Sequence, residues 1–352
     1  MSRGTRVTIN DVARTAGVSV ATVSKVINSR YGVAQATSER VQEVISSLGY
    51  ESSLVARSLR SHRTNVIGIL VAEFEPFSTE ILKGVSQAVA GTGYELLAYS
   101  GGGASGNLVG WERRSLSRLS GTLIDGAVIV TPTVVEVHDG VPVVAIDPHA
   151  GPSGLPTVDS DNLAGAVSAT EHLLALGHRR IAFLGGRTDL ESSRLREEGF
   201  RLAMERAQVP VDPALVRVGG YRRETADRPA HEILELADRP TAVFAANDLM
   251  AIATLEAAAD VGIAVPGDLS VVGFDDVPEA AATTPPLTTV AQPIQRMGSE
   301  AIGLLVELMA GREVPTPHLR LPTRLVQRGT TATVPAGTPS SRARAAGGAA
   351  RP

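Results

Sequence analysis

The stretch Thr8–Asn28, TINDVARTAGVSVATVSKVIN, carries two helical patterns separated by a glycine. In the first, over 8–16, Ile9, Val12, Ala13 and Ala16 share one apolar face, and Thr8 and Asp11 have the spacing of a capping box. Gly17-Val18 breaks that helix, and Ser19 is placed to cap a second one whose Val23, Val26 and Ile27 turn inward. A third pattern opens at Thr37, sets Val41, Val44, Ile45 and Leu48 at i, i+3, i+4 and i+7, and stops at Gly49. Three short helices within residues 1–50 predict a small all-α bundle. Helix, glycine turn, helix is the arrangement that offers a second helix to the DNA major groove.

The outward face of that second helix is left with Val20, Ala21, Thr22, Ser24, Lys25 and Asn28. Small and hydrogen-bonding side chains permit close approach to base edges, and Lys25 can reach a guanine or a phosphate. Thr8 and Ser19, at the two helix starts, complete the candidate DNA contacts in the head. The competing reading is a helical hairpin with a merely solvated face. Charge favours DNA. Residues 1–62 hold eight Lys/Arg against four acids, and because the whole chain stands at -4, the remainder carries -8. A basic head on an acidic body is expected when one end alone meets phosphate.

From Val66 the rhythm changes. Apolar runs at 66–71, 94–99, 126–130, 141–146, 180–185, 241–246 and 269–274 alternate with amphipathic stretches such as 160–176, 192–208, 226–237 and 248–261. Repeated β-α units predict parallel sheets with helices on both faces, and about 270 residues exceed what one such sheet needs, so two lobes are expected. The fold class is therefore an all-α helix-turn-helix head plus an α/β core of two doubly wound parallel-sheet lobes. Residues 332–352, rich in Ala, Gly, Pro, Ser and Arg without periodicity, read as a disordered tail.

The composition also excludes. The chain has no cysteine, which removes disulfide frameworks and thiolate metal sites and suits a cytoplasmic location. No apolar run approaches the length of a membrane span, and MSRGTRVTIND lacks the apolar region of a secretory signal.

The head resembles that of the LacI/GalR family of bacterial repressors, and the similarity runs to about residue 331. The resemblance implies that Val20-Ala21 and the basic residue Lys25 select the operator; lysine stands here where most relatives carry arginine, and it lacks the planar fork that grips guanine. It also implies that LVARSLRSHRT (54–64) belongs to a hinge, residues 51–63, whose Leu59 wedges between base pairs in the minor groove. Arg57 and Arg60 flank that wedge as phosphate-holding cations. Many relatives have a proline where Glu51-Ser52 stands. For the core, residues 64–331, the resemblance implies a periplasmic-binding-protein-like sensor. Its N-lobe would be about 64–160 and 291–319, and its C-lobe about 161–290 and 320–331.

Open α/β sheets bind ligands beyond the carboxyl ends of their strands. The residues matching the family there are Phe77, Asp147, Arg196, Tyr221, Asn247 and Asp275. The resemblance implies that the arginine, the asparagine and the aspartates bind ligand hydroxyls while the aromatics cover an apolar face, so that the effector is a sugar or related small polar molecule. Each has a plainer reading: Asn247 and Asp248 as helix caps, Asp275 as a turn residue, Arg196 as a surface charge. The family further implies a homodimer on a pseudo-palindromic operator.

Other functions find less support. Gly101, Gly103 and Gly106 spell G-x-G-x-x-G with Asp125 beyond, but they follow the second strand of the lobe, where a dinucleotide fingerprint would follow the first. His231-Glu232 starts a zinc-protease motif that fails at Glu235, and there is no nucleophile elbow. His172 and His178 flank a helix end, with Gly177 as its cap. No enzyme, cofactor or metal is expected, and a periplasmic receptor without DNA activity is disfavoured by the head.

Overall fold

The computed structural model describes residues 7–27, 31–50, 63–102, 109–133, 140–152, 154–314 and 317–334. They fall into a head ending at Thr64 and a core beginning at Asn65. The hinge residues Arg57, Leu59 and Arg60, the helix-end residue Asn28 and the tail from 335 onward lie outside the described residues.

The head is three helices: α1 (Ile9–Ala16), α2 (Val20–Ile27) and α3 (Gln35–Leu48). Val12, Val23 and Val41, one from each, are fully buried together. At the start of α1 the Thr8 backbone N–H and hydroxyl both donate to an Asp11 carboxylate oxygen, at 2.9 and 2.7 Å. Gly17 and Gly49 end α1 and α3 in the left-handed region that glycine tolerates best. One boundary differs from expectation. α3 opens at Gln35, not Thr37, because the Ala34 carbonyl already accepts from the N–H groups of Thr37 and Ser38.

The core holds two six-stranded sheets. In the first, the order is β11 (His318–Leu321), β5 (Thr157–Ser160), β4 (Val143–Ile146), β3 (Gly126–Val130), β1 (Val66–Val71), β2 (Glu95–Ser100), every neighbour parallel. The second runs β12 (Arg324–Val326), β10 (Thr288–Ala291), β9 (Ser270–Asp275), β8 (Ala242–Ala245), β6 (Ile181–Gly185), β7 (Val216–Val218). It departs from the all-parallel expectation at one edge, where β12 runs antiparallel to β10. The chain reaches β12 directly from β11 of the other lobe, with no crossover helix to restore the direction.

Helices cover the sheets: α4 (Pro76–Val89), α5 (Trp111–Leu119) and α11 (Ile294–Met309) on the N-lobe, and α6 (Asn162–Ala175), α7 (Glu191–Arg206), α8 (Arg223–Leu234) and α9 (Asp248–Asp260) on the C-lobe, where the short α10 (Pro278–Ala282) joins β9 to β10. Two helix pairs touch at glycine. A Cβ on Gly84 would collide with the backbone carbonyl of Gln295 where α4 meets α11, and one on Gly199 would stand 2.5 Å from the Leu163 carbonyl oxygen where α7 meets α6. Each sheet encloses its own apolar cluster, built on Ile67, Ile69, Val128 and Val144 in one lobe and on Phe183, Phe200 and Phe244 in the other.

The chain passes between lobes three times: after β5, after β10 and after β11. Ala291 thus belongs to the C-lobe and residues up to Leu321 to the N-lobe, small shifts from the expected boundaries. Order also extends past Thr331. The Ala332 carbonyl accepts from Ser270 and faces the His178 imidazole at 3.0 Å, and the Val334 N–H donates to Leu176. The tail expected to be disordered from 332 is therefore held on the core as far as Val334. Among the described residues, no helix is long and apolar enough to cross a membrane.

Candidate effector cleft and DNA-reading head

In each lobe the strand order reverses beside the first strand. β1 lies between β2 and β3, and β6 lies between β7 and β8. Chain segments leaving the carboxyl ends of neighbouring strands diverge there and open a crevice. A cavity of about 370 Å³ lies at these ends, lined from the N-lobe by Glu75, Phe77 and Asp147 and from the C-lobe by Arg196, Tyr221, Asn247 and Asp275. All six residues expected in the effector site meet there.

Arg196 is the centre of the C-lobe half. The plainer reading of Arg196 as a surface charge fails, because it is 4% exposed. Its Nε donates to Asn162 at 2.8 Å, and its Nη1 donates to the Ala246 carbonyl and to Asp275 at 3.3 Å. The guanidinium lies 3.9 Å over the Phe274 ring and 5.5 Å from the Tyr221 centroid, a cation–π seat that holds it in place.

Asp275 ends β9 at φ 118, a strained angle for a residue with a side chain. Gln292 donates to it at 2.6 Å. Burial pushes its carboxyl above the usual range, against the pull of Arg196. Behind it, Asp248 is buried and likewise raised, by burial and by Asp275; it accepts from Thr289 and from the Val277 N–H. Asn247 fills both roles weighed for it. Its Oδ1 caps α9 by accepting from the Met250 N–H at 3.0 Å, while its Nδ2 donates to the Tyr221 carbonyl, and the residue also lines the cavity. Tyr221 follows β7 at φ 68. Its hydroxyl is buried without a hydrogen-bond partner among the described residues, Ser192 standing beside it but out of bonding geometry.

The N-lobe half is less tied down. Phe77 sits in the first turn of α4, and Asp147 follows β4 at φ 47. Burial pushes the Asp147 carboxyl up to about 6, with Arg196 pulling the other way. Sequence reasoning missed Glu75, the residue before Pro76 at the start of α4. It accepts from Ser78 at 3.1 Å, and burial, followed by the charge of Asp275, pushes it up to about 7. An acid before Pro at a helix start reads from sequence as an ordinary N-terminal carboxylate; only the cavity wall reveals it. His149, also missed, is pushed down to about 4 by burial and by Arg187, so at neutral pH it is uncharged.

His178 and His172 hold structure. His178 is buried between Thr241 and Ser270, and His172 meets Thr331 and Gln327. Gly101 packs against Trp111 and Ser115, leaving no room there for a side chain, while Gly103 and Gly106 lie outside the described residues. Among the described residues, no group of three or more His, Cys, Asp or Glu is placed to hold a metal ion.

In the head, Ala21 and Lys25 are exposed on α2, Thr22 and Ser24 are half-buried, and Ser19 caps the helix by accepting from the Thr22 N–H at 3.1 Å. Val20 is half-buried as well, and part of its side chain packs against the head's apolar cluster. Tyr31, which the periodicity of the helices passes over, is fully exposed between α2 and α3.

Residues 8–53 match the model of the lacI family of bacterial regulatory proteins, and residues 170–331 match that of a periplasmic binding protein-like domain. Over 335 residues the chain is 33% identical to the HTH-type transcriptional repressor PurR of Vibrio atlanticus, an alignment covering 93% of this chain and 99% of that one. The chain belongs to the LacI family. This LacI-family regulator is also 34% identical over 332 residues to the ribose operon repressor of Escherichia coli K12, covering 92% of this chain and 99% of that one. The lac repressor dimer bound to operator and the anti-inducer ONPF superposes with a TM-score of 0.79 at 28% identity, over 93% of this chain and all of that one. Membership makes the protein a DNA-binding transcriptional regulator whose core responds to a ligand.

Proposed function

We propose that this LacI-family regulator represses transcription as a cytoplasmic homodimer on a pseudo-palindromic operator and that a small polyhydroxylated molecule, bound in the cleft, changes its DNA affinity. The observation that carries the reading is the meeting of Phe77 and Asp147 from one lobe with Arg196, Tyr221, Asn247 and Asp275 from the other around one cavity. A ligand held by both lobes biases their relative position, and such a shift is what a hinge before the core can pass to DNA. Arg196, Asn247 and the two aspartates offer charged and amide partners to hydroxyls, and the rings of Phe77 and Tyr221 give an apolar face. The name of the ribose operon repressor supports a sugar-like effector. Arg57, Leu59 and Arg60 carry the hinge's minor-groove contact, with Leu59 as the wedge. Val20, Ala21 and Lys25 read the major groove, while Thr8, Ser19, Thr22, Ser24 and Asn28 position the helix. The cleft binds and releases its ligand without turnover, a reading supported by the relatives, which are named as transcriptional repressors.

Selection of binding sites from random duplexes tests the DNA side. The expected product is an inverted repeat with a flexible pyrimidine–purine step at its centre, and an asymmetric or direct-repeat site overturns the two-headed reading. Titrating the operator complex with pentoses, hexoses and disaccharides tests the cleft. One class is expected to change operator affinity, and indifference to all of them overturns the polyol effector.

A further inference from the structure

The inner charges of the cleft do not balance. Three carboxyl groups, Glu75, Asp147 and Asp275, face one guanidinium, Arg196. The arginines at the rim have carboxylate partners of their own, and Arg222 also tempers the charge of Glu75. Arg187 pairs with Asp189 at 2.6 Å, Arg222 with Glu73 at 2.6 Å, and Arg223 with Glu256. His149 adds no charge near neutral pH.

We propose that the effector is a cationic polyol, an amino sugar or aminocyclitol, whose ammonium group sits among Glu75, Asp147 and Asp275. This rests on the reading of the cleft as a polyol site and narrows it to one charge class. An ammonium has three N–H donors and no acceptor, and ionised carboxylates only accept, so an ammonium in a cavity walled by carboxylates finds partners for its donors and they for their charge. A neutral sugar donates hydroxyls to these carboxylates but brings no charge to offset theirs, which leaves them Arg196 and Gln292 at Asp275 and Arg222 and Ser78 at Glu75. The carboxylates come from both lobes, so a cation between them also gives the lobes a reason to close. The polyol half of the ligand has its own partners: Asn247, the unpaired Tyr221 hydroxyl and the Phe77 ring. A bare metal ion suits the site less, because these carboxylates do not form a ligand shell.

The proton balance separates the two ligand classes. Glu75 titrates near 7 when the cleft is empty. A bound cation lowers it, so affinity for the cation rises from pH 5.5 to 7. A neutral ligand raises it further, so affinity for a neutral sugar falls over the same range.

The experiment is calorimetry with matched pairs: D-glucosamine against D-glucose, D-galactosamine against D-galactose and 2-deoxystreptamine against myo-inositol, with putrescine alongside, at pH 5.5 and 7. The full-length wild type is compared with Glu75→Gln, whose melting temperature reports that it folds. At least one amine is expected to bind about tenfold tighter than its neutral twin, to bind more tightly at pH 7 than at 5.5, and to lose most of that advantage in the Glu75→Gln protein. If a neutral sugar binds as well as its amine and Glu75→Gln leaves it equal or tighter, the cationic effector is overturned and the polyol cleft stands. If putrescine binds and no sugar or amino sugar does, the site takes a simple polyamine, and both readings fail. If nothing in the panel binds, both fail likewise.

Discussion

The two halves of the cleft are built differently. On the C-lobe side the charged and amide residues already have protein partners, the Tyr221 hydroxyl being the exception: Arg196 has three acceptors and an aromatic seat, Asp275 has Arg196 and Gln292, and Asn247 joins a helix start to the Tyr221 carbonyl. On the N-lobe side Glu75 has one hydroxyl partner, Ser78, and its carboxyl sits well above its ordinary range. A network satisfied before ligand arrives is a rigid platform, and a carboxyl held off its preferred charge state waits for something. The difference is one of preorganisation: the C-lobe half is held before a ligand arrives, and Glu75 is not.

Three changes test that division. The largest effect is expected from Arg196→Ala, which strands Asp275, Asn162 and the Ala246 carbonyl in a buried site. Loss of about 3–5 kcal/mol in urea unfolding is the expected result, together with loss of effector binding. A loss under about 1 kcal/mol would mean that water replaces the guanidinium and that the platform is soft. Asn247→Ala removes the α9 cap and the link to Tyr221. It is expected to cost about 1–2 kcal/mol of stability and to weaken effector binding in the same titration, coupling structure and recognition in one residue.

The smallest effect, and one of opposite sign, is expected on the other side. Glu75 has a folded value near 7 against an ordinary 4.5, so the folded state prefers its proton. Above pH 7 the fold carries an ionised carboxylate that the unfolded chain would hydrate freely, and below about 4.5 both states are protonated. Glu75→Gln is therefore expected to stabilise the empty protein at pH 8, with the gain fading as pH falls through 7 toward 4.5. Guanidinium melts at pH 8 and pH 5 measure it, and a gain equal at both would show that charge is not the cause.

Much of this was legible without coordinates. The head is written in local signals: Thr8 and Asp11 three apart, Ser19 before α2, glycines at both helix ends, and apolar residues at helical spacing. Each acts within a turn or two of chain, so spacing alone determines it. The alternation of strand and helix determined the two-lobed α/β core for the same reason, because burial on both faces of a parallel sheet demands continuous apolar runs such as VIGILV. The short strands β5, β7, β10, β11 and β12 have weaker patterns, and their membership depends on which neighbour they pair with.

The cleft is the part that only tertiary structure decided. Glu75 and Asp275 lie 200 positions apart in sequence, yet each feels the other's charge. Arg196 reads as a solvated helix charge until Asn162, Ala246 and Phe274 enclose it. Burial, a partner's charge and the direction of a strand end belong to pairs of distant segments, and no local pattern carries them. The sequence therefore determined which elements form and which strand ends are candidates, while the packing of two sheets decided how many carboxylates share one guanidinium.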